Sequence, residues 1–253
     1  MLFRSKIPTP SISVIEIGPV TIHFYALCII VGIGAAILIA KSRYKNPEII
    51  SDLAFYAIPG GVMGARIYHV LTSLKNYQGE NWINIFKIWE GGLGIWGAIA
   101  GGAIAVWFKA KKLNLDFTEL ADAIAPGLLI AQAIGRFGNW FNAELFGGPT
   151  DLPWGLAIPQ QMRPAGFENF EYFHPTFLYE AICSFILAIL IMRISLKPGG
   201  AFALYVLGYC CYRFLIEGLR IDPANLIFGI RVNQLVALII GAVALTRFLK
   251  AIR

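Results

Sequence analysis

Ile22-His-Phe-Tyr-Ala-Leu-Cys-Ile-Ile-Val-Gly-Ile-Gly-Ala-Ala-Ile-Leu-Ile-Ala40 runs nineteen residues without a carboxylate, lysine or arginine, and Lys41-Ser-Arg43 closes it. At 1.5 Å per residue, a helix of this length crosses nearly all of the ~30 Å hydrocarbon core of a bilayer. One such block fits a buried helix of a soluble protein. This sequence repeats the pattern, at about 52–71, 92–108, 119–135, 177–194, 200–216 and 232–249. Seven apolar blocks on short links leave too little polar surface to cover them in water. The whole chain agrees: 57% of its 253 residues are hydrophobic and 14% charged, where a soluble domain has about 25% charged. Mean hydropathy is +0.66. The expected fold is all-α, a polytopic membrane bundle of about seven transmembrane helices forming one domain over 1–253. Arg4 and Lys6 precede Pro8 and Pro10 rather than an unbroken apolar run, so the first span is read as retained, not as a cleaved signal peptide.

Charge in the links sets the orientation. Lys41, Arg43, Lys45, Lys109, Lys111, Lys112, Arg193, Lys197, Arg247, Lys250 and Arg253 all fall on one side of this scheme, and the other side holds most of the acids. Basic residues near span ends mark the cytoplasmic face. The N-terminus is therefore expected outside and the C-terminus inside. The longest link, about 136–176, then lies outside. Its Trp140, Trp154, Pro149, Pro153, Pro159 and Pro164 suggest an ordered cap at the interface. A net charge of +6 without a basic stripe, and no Walker loop, dinucleotide fingerprint or zinc spacing, argue against nucleotide and nucleic-acid partners. His23, His69 and His174 are scattered, so no metal site is expected, and no cofactor. Cys28, Cys183, Cys210 and Cys211 lie in apolar blocks without a C-x-x-C pair and read as small hydrophobes. Gly60 with Gly64 and Gly97 with Gly101 have the spacing of close helix contacts in membranes. Gly91 and Gly92 read as a bend where the backbone approaches another group.

Ionised groups inside apolar blocks need a reason. Arg66, Arg136, Arg213 and Arg220 all fall at similar depth in the outer half of the scheme. Arginine binds phosphate bidentately and stays charged when partly buried, so together they point to a pocket for an anionic group. Tyr209, Arg213 and Glu217 recur every fourth residue and share a helix face, with Glu217 placed to hold Arg213 and Arg220. Gly135-Arg-Phe-Gly-Asn-Trp-Phe-Asn-Ala-Glu144 groups Arg136, Asn139, Asn142 and Glu144 at a helix end, where the asparagines would bond ester or glycerol oxygens or cap the helix. In His174-Pro-Thr-Phe-Leu-Tyr-Glu180, Glu180 lies one turn inside an apolar helix and needs an arginine or tyrosine partner. These groups gather at one leaflet boundary. That favours a lipid-modifying enzyme over a transporter, which needs polar groups through both leaflets, and over a structural subunit, which has no use for Arg213 with Glu217.

These segments resemble the prolipoprotein diacylglyceryl transferase family along nearly the whole chain. The resemblance rests on Gly135–Glu144, His174–Glu180, Tyr25, Trp89-Glu-Gly-Gly-Leu93 and Tyr209–Arg220. It implies transfer of the diacylglyceryl group of phosphatidylglycerol to the cysteine thiol of a prolipoprotein signal peptide. A thioether forms and glycerol phosphate leaves, in the bacterial cytoplasmic membrane. Carried over by residue, Arg136, Arg213, Tyr25 and Glu144 would be catalytic. Arg136, Asn139, Glu180, Tyr209, Glu217 and Arg220 would contact substrate; the residue pattern itself adds Asn142, His174 and Arg66 to that set. A monomer is expected. One position departs: Trp96 stands where many members carry a histidine proposed as the base. A free thiol has a pKa near 8.5, so a few per cent is thiolate at neutral pH and a strong base is dispensable.

Overall fold

The computed structural model describes residues 6–18, 20–77, 79–88 and 91–252. Arg4, Trp89, Glu90 and Arg253, which enter the sequence reading, lie outside these. Seven α-helices run through the described residues: α1 (Phe24–Arg43), α2 (Pro47–Thr72), α3 (Ile95–Lys112), α4 (Phe117–Phe141), α5 (Thr176–Arg193), α6 (Gly200–Glu217) and α7 (Val232–Ile252). Each covers one expected block. Five of them, α1, α4, α5, α6 and α7, are long and apolar enough to cross a membrane. The strands are short: β1 (Ile7–Pro8), β2 (Val14–Ile17), β3 (Val20–His23), β4 (Leu156–Ala157), β5 (Tyr172–Phe173), β6 (Leu226–Ile227) and β7 (Ile230–Arg231).

Local chemistry explains the helix ends. Pro47 opens α2, where no amide proton is needed, and the Asn46 side chain accepts from the Glu48 amide at 3.2 Å. The Asp116 carboxylate accepts from the Thr118 amide at 2.7 Å ahead of α4. Asp122, an acid inside an apolar block, has a similar task across helices. It accepts from the amides of Gly199 and Phe202 at 2.6 and 2.8 Å and so caps α6.

The chain divides into two compact units, Lys41–Leu120 and Met1–Ala40 with Ala121–Arg253. In the first, α2 packs on α3 through the predicted glycines. A methyl group on Gly64 would overlap the carbonyl oxygen of Gly97, one on Gly97 that of Gly64, and one on Gly101 that of Gly60. Gly97→Ala is therefore expected to force the backbones apart and cost about 1–3 kcal/mol. Gly34→Ala, at a position with nothing within 4 Å of the added carbon, should be neutral or stabilising. Melting temperatures in one detergent compare them, and an unchanged value for Gly97→Ala would contradict this packing. Lys109 pairs with Asp52 at 2.8 Å and Lys45 with Glu119 at 2.7 Å within the same unit.

In the second unit, Leu129, Leu187, Ala188, Ile191, Tyr212 and Ile216 form a core between α4, α5 and α6. Gly32 and Gly127 let α1 and α4 meet backbone to backbone, at Ala131 and Ala36. The segment after α4 is ordered round a second apolar cluster of Phe146, Leu156, Ile158, Phe173 and Phe177. β4 pairs with β1 in parallel and with β5 antiparallel, which ties the N-terminal stretch to this cluster. The fourth helix runs further than the expected 119–135 block: 136–141 belongs to α4. Phe137, Trp140 and Phe141 continue the helix's apolar contacts; Phe141 stacks on Phe24 with centroids 4.6 Å apart, and the Trp140 indole donates to the carbonyl of Pro8 at 2.8 Å.

Candidate active site

Glu180, 3% exposed on α5, is held between two arginines. Arg136 of α4 lies 2.5 Å from one carboxylate oxygen, and Arg213 of α6 donates to the other at 2.7 Å. The remaining fork of Arg213 reaches Glu217 at 2.6 Å, one turn along α6. Glu217 has no exposed surface. Arg220 lies 3.7 Å from it, and Arg231 and Asn233 both donate to its other oxygen, at 3.0 and 2.9 Å. Asp222 closes the chain by accepting from Arg220 at 2.6 Å and Arg231 at 3.1 Å. Burial alone would raise the Asp222 carboxyl. The Arg220 hydrogen bond and the charges of Arg220 and Arg231 outweigh it and hold the group below the usual carboxylate range. Four guanidiniums against three carboxylates leave one positive charge over.

A second cluster lies at the end of α4. One oxygen of Glu144 accepts from the amides of Asn139 at 2.9 Å and Asn142 at 3.2 Å, so the asparagines orient the glutamate rather than cap the helix. Ala143 and Leu145, either side of Glu144, both adopt positive φ, +49° and +57°. Non-glycine residues rarely do so, and such strain concentrates at functional sites. Tyr25 lies over the same helix: a methyl group on Gly138 would overlap its ring. Gly147 then threads between two strand-like segments. Its amide donates to the His174 carbonyl at 2.9 Å, the Gly148 amide donates to Leu219, and Gly147 bridges to Arg220. This ladder links His174 to the end of α6. The Tyr179 hydroxyl accepts from the Trp154 indole at 3.0 Å and stands 3.1 Å from His174 Nδ1. Burial lowers the His174 pKa.

A model of the prolipoprotein diacylglyceryl transferase family matches residues 12–249. The chain belongs to that family. It is 46% identical over 252 residues to the phosphatidylglycerol–prolipoprotein diacylglyceryl transferase of Cutibacterium acnes, covering 95% of this chain and 85% of that one. It is 46% identical over 249 residues to the enzyme of the same name from Streptomyces griseus, covering 94% and 75%. The enzyme of that name from Corynebacterium diphtheriae is 43% identical over 262 residues, covering 96% and 93%.

Of the positions that the transferase resemblance singles out, the fold links Arg136, Glu180, Arg213, Glu217 and Arg220 in one network, and Asn139, Asn142 and Glu144 in another. Tyr209 lies one turn before Arg213 and packs edge-on against Tyr212, centroids 5.3 Å apart. Arg66 belongs to the other compact unit. Its guanidinium donates to the carbonyls of Asn84, Ile85, Gly91 and Gly92, so it is tied to backbone in a way the sequence did not reveal. Gly91 and Gly92, at φ +89° and +72°, make the expected bend, and Arg66 is the group they approach. Trp96 lies on α3, 59% exposed. The sequence reading missed Arg231, Asp222 and Asn233. The signal was present: an arginine and an asparagine at the head of an apolar block, opposite the block that ends in Glu217.

Proposed function

We propose that this chain transfers the diacylglyceryl group of phosphatidylglycerol to the thiol of the cysteine in a prolipoprotein signal peptide. Family membership carries the reaction. The structural observation behind the mechanism is the network of four arginines and three carboxylates, centred on the buried Glu180 and Glu217, which has one positive charge uncompensated. Such a network receives one phosphate. The peptide thiolate attacks the glycerol carbon that bears the phosphate ester, a C–S bond forms, and the C–O electron pair leaves on glycerol phosphate. Arg136 and Arg213 face the charge that builds on the departing oxygen, where preorganised donors act most strongly. Glu180 and Glu217 orient them, with Arg220 beside Glu217. Glu144, Asn139, Asn142, Tyr25, Tyr209 and His174 position headgroup and peptide. Trp96 offers no base, so the thiol's proton passes to a glutamate, a tyrosine or bulk hydroxide.

In this reading the protein is a monomer of one domain with seven spans in the bacterial cytoplasmic membrane. Its N-terminus and the segment after α4 face outward and its C-terminus faces the cytoplasm. Cysteines introduced at 110–114 should label from the cytoplasmic side only, and those at 163–169 from the outside only; reversed access would overturn the topology. The reaction is tested by incubating purified protein with phosphatidylglycerol and a signal peptide carrying one cysteine. The lipidated peptide should survive hydroxylamine, as a thioether does. A hydroxylamine-labile product would mean acyl transfer.

A further inference from the structure

Between α6 and α7 the chain makes a two-residue hairpin. Leu226 pairs with Arg231 and Ile227 with Ile230, which leaves Phe228 and Gly229 as the loop. Both loop residues have positive φ, +52° and +77°, the pattern of a type I′ turn. That turn favours Asn-Gly or Asp-Gly, because a bulky side chain is strained in the left-handed region. A phenylalanine there works against local preference. Its side chain also gains nothing from the fold, since Phe228 is 99% exposed. Leu226 is 62% and Ile227 47% exposed beside it, and the run Leu226-Ile-Phe-Gly-Ile230 carries no charge. The hairpin joins the ends of two helices that are each long and apolar enough to span a bilayer, so its level is the membrane surface. Leu215 of α6 and Ile239 of α7 are exposed as well.

We propose that this hairpin is a lipid-inserting finger whose tip, Phe228, enters the acyl region of the adjoining leaflet. The shape selects this occupant over a peptide. The tip is convex, and a convex apolar knob matches a fluid phase that closes round it, whereas peptide recognition uses a groove or an open strand edge. Aromatic side chains are also the usual anchors at membrane interfaces. The finger's base is fixed: Arg231 in β7 binds Glu217 and Asp222 and donates to the carbonyl of Arg220. An inserted tip thereby holds the outer end of the arginine network against the lipid surface. The inference rests on α6 and α7 spanning the membrane and not on the reaction assigned above.

Two measurements decide it, and neither needs enzymatic turnover. With p-benzoyl-phenylalanine at 228, protein in phosphatidylglycerol nanodiscs should gain the mass of one phospholipid on irradiation. It should do so equally with and without a cysteine-containing signal peptide. The same probe at Asp151, an exposed charged position, should give no lipid adduct. Adducts to the added peptide in place of lipid, or no adduct at 228, would overturn the proposal. The second measurement separates anchoring from folding. Phe228→Asn restores the favoured Asn-Gly turn, so its melting temperature in detergent should equal or exceed that of the parent. A drop would show that Phe228 serves the fold instead.

Discussion

Arg213→Lys is expected to lower kcat by roughly 10²–10³-fold, the loss seen when a donor that stabilises transition-state charge is removed, about 3–4 kcal/mol. The geometry gives the reason. One arm of Arg213 meets Glu180 at 2.7 Å and the other meets Glu217 at 2.6 Å. A planar fork satisfies two carboxylates on different helices at once and still presents N–H groups to a phosphate. A lysine ammonium keeps the charge but is a single point on a flexible stem, so it binds one carboxylate and cannot hold that geometry. Retained charge should keep the variant folded, with a smaller loss of stability than removal of a carboxylate causes. The assay uses protein purified at normal yield and saturating lipid. Activity within a few-fold of the parent would make Arg213 a structural brace and leave Arg136 as the main stabiliser of the leaving group.

Glu217→Gln should act chiefly on stability. Glu217 is fully buried and faces Arg213, Arg220 and Arg231, with Asn233 as a fourth partner. Glutamine keeps the size but removes the charge that compensates these guanidiniums. Breaking a buried ion pair from one side costs about 3–5 kcal/mol, because the partner charges stay buried. The uncompensated charge also rises by one, so the variant should be stabilised more by phosphatidylglycerol than the parent is. Thermal melts in detergent with and without that lipid measure both effects. A parent-like melting temperature, with no larger lipid shift, would show that the arginines are screened by water rather than by Glu217.

Much of this arrangement is legible in the sequence, because a bilayer restricts what a chain can do. Apolar length sets the helices, and all seven blocks are helical. The fourfold spacings Gly60–Gly64 and Gly97–Gly101 became the α2–α3 contact, since only a missing side chain lets two helix backbones meet. Glu180 required an arginine or tyrosine partner and has two arginines. The sequence was silent on partners supplied by backbone or by distant chain. Nothing local to Arg66 shows that four carbonyls fold back to it. Arg231 and Asn233 went unnoticed because their tie to Glu217 exists only once α7 packs beside α6. The asparagines of 135–144 read as lipid ligands or helix caps, and nothing local showed that both amides donate to Glu144.

The central claim is that the arginine network draws off the phosphate, so the bond that breaks joins carbon to oxygen. Phosphatidylglycerol with ¹⁸O at the atom bridging the diacylglyceryl carbon and phosphorus tests this directly. After one turnover with a cysteine-containing peptide, mass spectrometry should find the label in glycerol phosphate and none in the lipidated peptide. Label recovered in released diacylglycerol, with glycerol phosphate on the peptide, would mean cleavage between phosphorus and oxygen, and would contradict thiolate attack at carbon with phosphate as the leaving group.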